Sequence, residues 1–230
     1  MNAAIHTFVL VLASIFPVVN PPGSALVFLG LTSRATPELR AVLARRIAVN
    51  SLILLACSFL LGALILQFYG ISIPILRVAG GFVVAVSGWK LLNEGSQKEM
   101  EASAGGVDRT NLLDQAFYPL TLPLTTGPGS IAVVISIGLS DATISSPAER
   151  IIFVLASLSA IAVLAVTILF CFAYADRIQR LLGHGGTDIA VRLSAFILFC
   201  LGLQILWSGG NELLRSVLYE GAAPSLPTPR

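Results

Sequence analysis

A short helix-breaking phrase occurs twice in this chain, each time deep inside an apolar run. The first copy is Phe16-Pro17-Val18-Val19-Asn20-Pro21-Pro22-Gly23-Ser24 and the second is Leu122-Pro123-Leu124-Thr125-Thr126-Gly127-Pro128-Gly129-Ser130. They share an early proline and a closing Pro-Gly-Ser at an offset of 106 positions (129 minus 23 for the glycine). Each interior proline costs a helix about 3 kcal/mol. In hydrocarbon, every backbone group it frees adds to that cost, so such backbone survives at membrane depth where it is buried in protein or lines a cavity. Paired breaks in corresponding halves point to the binding site of a transporter.

The surrounding sequence makes a bilayer the expected solvent. The chain of 230 residues is 56% hydrophobic and 11% charged, against about 25% charged in soluble domains, and its mean hydropathy is +0.88. Six apolar stretches are long enough to cross a bilayer: Ile5–Leu31, Ile47–Tyr69, Pro74–Leu92, Gln115–Leu139, Ile151–Ala175 and Ile189–Ser208. Crossing takes roughly 20 helical residues. No Lys or Arg precedes the first run and no small-residue cleavage site closes it, so it is read as a span rather than a signal peptide.

Charge orients the chain. With the N-terminus outside, Arg34, Arg40, Arg45, Arg46, Lys90, Lys98, Arg109, Arg177, Arg180 and Arg192 fall on the cytoplasmic side, against Arg77, Arg150, Arg215 and Arg230 opposite. The excess favours both termini outside under the positive-inside rule. No basic cluster interleaved with aromatics suggests nucleic acid. Cys57, Cys171 and Cys200 lie inside spans at no metal-like spacing and are read as small core residues. His6 and His184 sit at segment ends without evident partners.

Residues 1–93 carry three spans and 115–210 carry three more, joined by a polar linker at 94–114, with a tail at 211–230. Three is odd, so the second half enters the membrane from the opposite side, which makes the halves an inverted repeat. Arg77 and Arg192 open the third and sixth spans, and Gly88 and Gly202 follow them at similar distances. At 1.5 Å per residue, Ile5–Val19 and Ser24–Leu31 reach about 22 and 12 Å, and Gln115–Thr125 and Ser130–Leu139 about 16 and 15 Å. Neither piece of either pair spans alone. The expected fold is therefore all-α, with six transmembrane segments and with the first and fourth spans discontinuous. Gly81, Ala85 and Gly88 form a small-residue face on the third span, read as close helix packing, with a broken helix as one partner.

A broken helix presents unpaired N–H groups at one cut end and unpaired C=O groups at the other. The candidate substrate-binding set is Asn20, Pro21, Pro22, Gly23 and Ser24 with Thr125, Thr126, Gly127, Pro128, Gly129 and Ser130. Asn20 is a good N-cap type with Pro21 at the favoured next position, and Thr126 stands at the corresponding place. The glycines permit close approach, and the hydroxyls donate or accept. The set holds no formal charge, which suits a small zwitterion. The competing reading is that the hydroxyls serve only the broken backbone and its neighbours. Arg77 and Arg192 are candidates for gating or for an interfacial structural role. No Asp or Glu lies inside a proposed span, which argues against a carboxylate proton relay. Neither a cofactor nor a metal is called for, and a coupling Na+ or H+ stays open, as does oligomerisation.

The Asn-Pro-Pro-Gly break, the Arg77-Val78-Ala79-Gly80-Gly81 opening and the run from Pro119 through Thr126 to Gly129 together resemble the MarC family of inner-membrane proteins. The resemblance covers Ala4–Trp207 apart from the linker. Some members, called SnatA, are described as transporters of small neutral amino acids such as glycine and alanine. The resemblance therefore implies a secondary transporter in the inner (plasma) membrane, with a zwitterionic amino acid held near the two breaks. A passive channel for small polar solutes and a non-transporting membrane partner are the alternatives. An enzyme is not expected, since no His-Glu-x-x-His, paired intramembrane aspartates or Ser-His pair appears.

Overall fold

The computed structural model describes residues 2–32, 35–104, 113–139 and 146–220. Those residues form helices and turns with no strand. Helix α1 (Asn2–Val19) is followed after one residue by α2 (Pro21–Leu31), and then come α3 (Pro37–Tyr69) and α4 (Ile73–Ala104). A 3-10 turn at Asp114–Ala116 and a wide turn at Leu120–Thr125 lead into α5 (Pro128–Leu139). Helices α6 (Pro147–Ala173) and α7 (Ala175–Glu220) complete the chain.

Local signals explain most boundaries. The Thr36 hydroxyl accepts from the Leu39 N–H at 3.3 Å with Pro37 next, so α3 starts there, and Gly70 ends it in the left-handed region at φ 65°. Pro147 and Glu149 open α6. Gly183, at φ 66°, interrupts the helical backbone inside α7. Five helical segments, Ala4–Leu31, Pro37–Tyr69, Ile73–Asn93, Pro147–Ala173 and Gly185–Ser216, are long and apolar enough to cross a membrane. The pair Asp114–Thr125 and Pro128–Leu139, bent by 72°, makes a sixth if counted as one span.

Two expectations change here. The polar linker at 94–114 begins as helix, because α4 continues to Ala104 through helix formers such as Gln97, Glu99, Met100 and Ala102. Its residues 105–112 lie outside the described part. Likewise α7 runs on to Glu220, so only 221–230 of the expected tail lies beyond it, and those residues are also outside the described part.

The core gathers Val11 and Ile15 of α1, Phe28 of α2, Leu43, Ile47 and Leu55 of α3, Leu120, and Ile161, Leu164, Ile168 and Phe172 of α6. The Phe28 and Phe172 rings meet at 4.8 Å between centroids. The outer surface is apolar as well: Leu60, Leu61, Leu64 and Ile65 of α3 and Ile151, Leu155, Val166 and Phe170 of α6 are exposed. Hydrocarbon as solvent demands such a surface. It also explains why Cys57 and Cys200 lie exposed on it and not in the core, where the sequence alone had placed them.

The most extensive helix pair is α4 with α7. Gly81 lies against Gly202 and Leu206, Gly202 against Ala85, and Gly88 against Ala195 and Phe199, in each case touching backbone. The small-residue face on α4 therefore packs on α7, not on a broken helix. The neighbouring Gly80 and Val84 meet α5 instead, at Ala132 and Gly129. Around this seam the contacts run in matched pairs: α3 with α6, α1 with α6 and the 120–125 turn with α3, α2 with α6 and α5 with α3, α2 with α7 and α5 with α4.

Candidate functional site

At the first break the chain satisfies its backbone donors and leaves backbone acceptors over. Asn20 sits in the left-handed region (φ 48°, ψ 60°), a conformation asparagine tolerates. Its Oδ1 accepts from Gly23 N–H at 3.3 Å and its own carbonyl from Ser24 N–H at 3.0 Å. Pro21 and Pro22 have no N–H, so the start of α2 offers no free backbone donor. The same two prolines cannot reach back to Pro17 and Val18, whose carbonyls carry no hydrogen bond among the described residues. The Asn20 Nδ2 amide is likewise without a partner there.

The second break has the opposite character. The turn before it uses wide i-to-i+5 bonds: Leu122 N–H to Phe117 carbonyl at 2.8 Å, Leu124 to Pro119 at 3.3 Å and Thr126 to Thr121 at 2.8 Å. The peptide bonds before Pro119 and Pro123 are cis. Helix α5 then starts at Pro128 behind Gly127, which has no side chain to cap it. The N–H groups of Gly127, Gly129 and Ser130 have no acceptor among the described residues. The backbone at the Asn20 turn thus leaves carbonyls over, and the backbone before α5 leaves amides.

The two breaks touch. Ser24 Oγ donates to the Val19 carbonyl at 3.2 Å and is 3.3 Å from the Leu124 carbonyl, 100 residues away in sequence. Beside this contact lies a cavity of about 610 Å³. Eight of the eleven candidate residues line it: Asn20, Gly23, Ser24, Thr125, Gly127, Pro128, Gly129 and Ser130. Val83, Val84, Ser87, Lys90 and Leu91 of α4 form another wall. From the breaks the lining extends past Ser87 to Lys90, Tyr118 and Pro119, the residues that border segment 94–114.

The other three candidates lie elsewhere. Thr126 is fully buried and donates to Ser51 Oγ of α3 at 3.0 Å, so it ties the break to its neighbour. Pro21 and Pro22 do not line the cavity. The remaining hydroxyls serve the backbone as donors: Thr125 to Leu120 carbonyl at 2.8 Å, Ser130 to Gly127 carbonyl at 2.8 Å. What they retain for a ligand is acceptor capacity. Arg77 pairs with Glu212 across the α4–α7 seam at 2.6 Å, Arg192 is exposed, and neither lines the cavity. Sequence reasoning set Lys90 among the cations of the cytoplasmic side, and only the register of α4 shows that it shares a face with Val83, Val84 and Ser87. It also missed Arg40, which donates from Nε to the Thr32 carbonyl at 3.0 Å and pairs with Asp176 at 2.6 Å. That pair clips the end of α2 to the start of α7.

Comparison with known proteins places the chain in a family. Residues 5–214 match the sequence model of the MarC family of integral membrane proteins. The inner membrane protein MarC of Salmonella typhimurium is 32% identical over 212 residues, covering 89% of this chain and 94% of that protein. The corresponding protein of Escherichia coli O1:K1 is 31% identical over 210 residues, covering 89% and 94%. A membrane protein of Archaeoglobus fulgidus is 31% identical over 206 residues, covering 89% and 92%. No solved structure gives a significant match. On a match that runs through both breaks and all the apolar helices, the chain belongs to the MarC family of integral membrane proteins.

Proposed function

We propose that this protein is a secondary transporter of small neutral amino acids, of the glycine and alanine type, working by alternating access in an inner membrane. The observation that carries the reading is the meeting of two cut helices of opposite character over one cavity. Among the described residues that line the cavity, the unpaired carbonyl of Val18 suits an ammonium, and the unpaired amides of Gly127, Gly129 and Ser130 suit a carboxylate. A small zwitterion carries one group suited to each.

Alternating access rests on the two halves forming an inverted repeat with its first and fourth spans discontinuous. The matched helix contacts support this: exchanging α1 with the 120–125 turn, α2 with α5, α3 with α6 and α4 with α7 turns the main contacts into one another. Such an arrangement has two equivalent ways to close around a fixed site. The cavity reaches the side that carries the polar segment 94–114, which the distribution of Arg and Lys makes the cytoplasmic side.

The test is uptake of labelled glycine and alanine into proteoliposomes holding the purified protein. A carrier shows counterflow, in which unlabelled substrate inside drives labelled substrate in above equilibrium. A leak without counterflow would indicate a channel, and absence of any flux or binding would remove the transport reading.

A further inference from the structure

We infer that Lys90 is the residue that selects for a carboxylate in this cavity, a deepening of the transport reading above on which it rests. Among the described residues that line the cavity Lys90 is the single charged one, and no Asp or Glu stands among them. Elsewhere on these helices buried-edge cations have partners: Arg40 has Asp176 and Arg77 has Glu212. Lys90 has no ion pair among the described residues.

Its place in α4 gives the ammonium a direction. Val83, Val84, Ser87, Lys90 and Leu91 are spaced as one stripe of a helix and all line the cavity. Val84 marks the level of the second break, since it abuts Gly129. Lys90 is six residues further along, a rise of about 9 Å. Side chains on a helix lean toward its N-terminus, and for α4 that is toward Val84 and the break. Lys90 is exposed where it borders the cavity, and a stem on this stripe leans its charge along the cavity wall in the direction of Gly129 and Ser130. Cation and amides act on the same ligand group: the ammonium draws an anion in from the mouth, and the amides receive it at the break.

The alternative role of such a lysine, a stem lying along apolar helix with its head at the membrane surface, makes a different prediction for transport. Counterflow of labelled glycine is measured in proteoliposomes for the wild type, Lys90→Gln, Lys90→Arg and Arg45→Gln, the last removing an exposed charge outside the cavity. Loss of one charge-assisted contact is expected to raise the KM of Lys90→Gln about tenfold or more at similar maximal rate. Lys90→Arg is expected to retain most of the affinity and Arg45→Gln all of it. Competition on the wild type needs no variant: acetate, which keeps the carboxylate, should inhibit glycine flux more strongly than glycinamide, which keeps the ammonium. A Lys90→Gln protein with wild-type KM, or glycinamide inhibiting as well as acetate, overturns the inference and leaves the transporter standing. Wild-type protein that moves neither glycine nor alanine overturns both.

Discussion

At the scale of single residues, the two breaks are built by different chemistry from similar words. Asn-Pro-Pro at the first removes or occupies every donor at the start of α2, whereas Thr-Gly-Pro at the second leaves three amides open. Gly129 is the tightest point of that second wall, because a Cβ there would run into the Val84 side chain. Gly129→Ala is expected to cost about 1–3 kcal/mol by overpacking and to lower glycine flux. Val84→Ala in the same protein should restore both, and thermal melts in detergent together with counterflow assays would show it. Thr126 illustrates what sequence cannot disclose. By position it answers to Asn20, but a hydroxyl carries no label for which way it turns, and the neighbour that claims it, Ser51, lies 75 residues away. Lys90 was hidden for the opposite reason, since a cation close to the end of a span reads as an anchor until the helix face it occupies is known.

At the scale of elements, helix positions were legible because hydrophobic length and turn chemistry act locally. The six apolar stretches fall on the helices, and Thr36-Pro37 and Gly70 end α3 where their chemistry dictates. What was not legible is partnership: a stripe of small residues announces a close neighbour without naming it. The partner proved to be α7, with backbone against backbone at Gly81, Gly88 and Gly202. Gly202→Ala is therefore expected to lower the melting temperature sharply, since its Cβ meets Ala85 backbone. Gly210→Ala, on the same helix with open space around it, should be neutral or slightly stabilising, by up to about 1 kcal/mol, through the helix preference for alanine. Equal effects of the two substitutions would mean that the seam is looser than described. The linker is the reverse case: polarity marks where the apolar span stops and not where the helix does, since residues such as Gln97, Glu99 and Ala102 favour helix wherever solvent accepts them.

At the scale of the whole molecule, the cavity lining runs from the two breaks toward one side. Ser87 lines it on the side of segment 94–114, the side from which α3 starts at Pro37. In a protein whose native cysteines are replaced, Ser87→Cys should react with a membrane-impermeant thiol reagent from the same side as Glu38→Cys. It should not react from the side of Tyr69→Cys. Labelling of Ser87→Cys from the Tyr69 side would reverse the description of the mouth. The contrast between the two walls carries a last consequence for redesign. Glycine at position 20 would keep the left-handed turn yet withdraw the amide oxygen that now muffles Gly23, baring a hydrogen-bond donor at a residue that lines the cavity. The Val18 carbonyl would stay as it is, so one codon would set a bare amide beside an acceptor on a wall whose backbone now turns only acceptors outward.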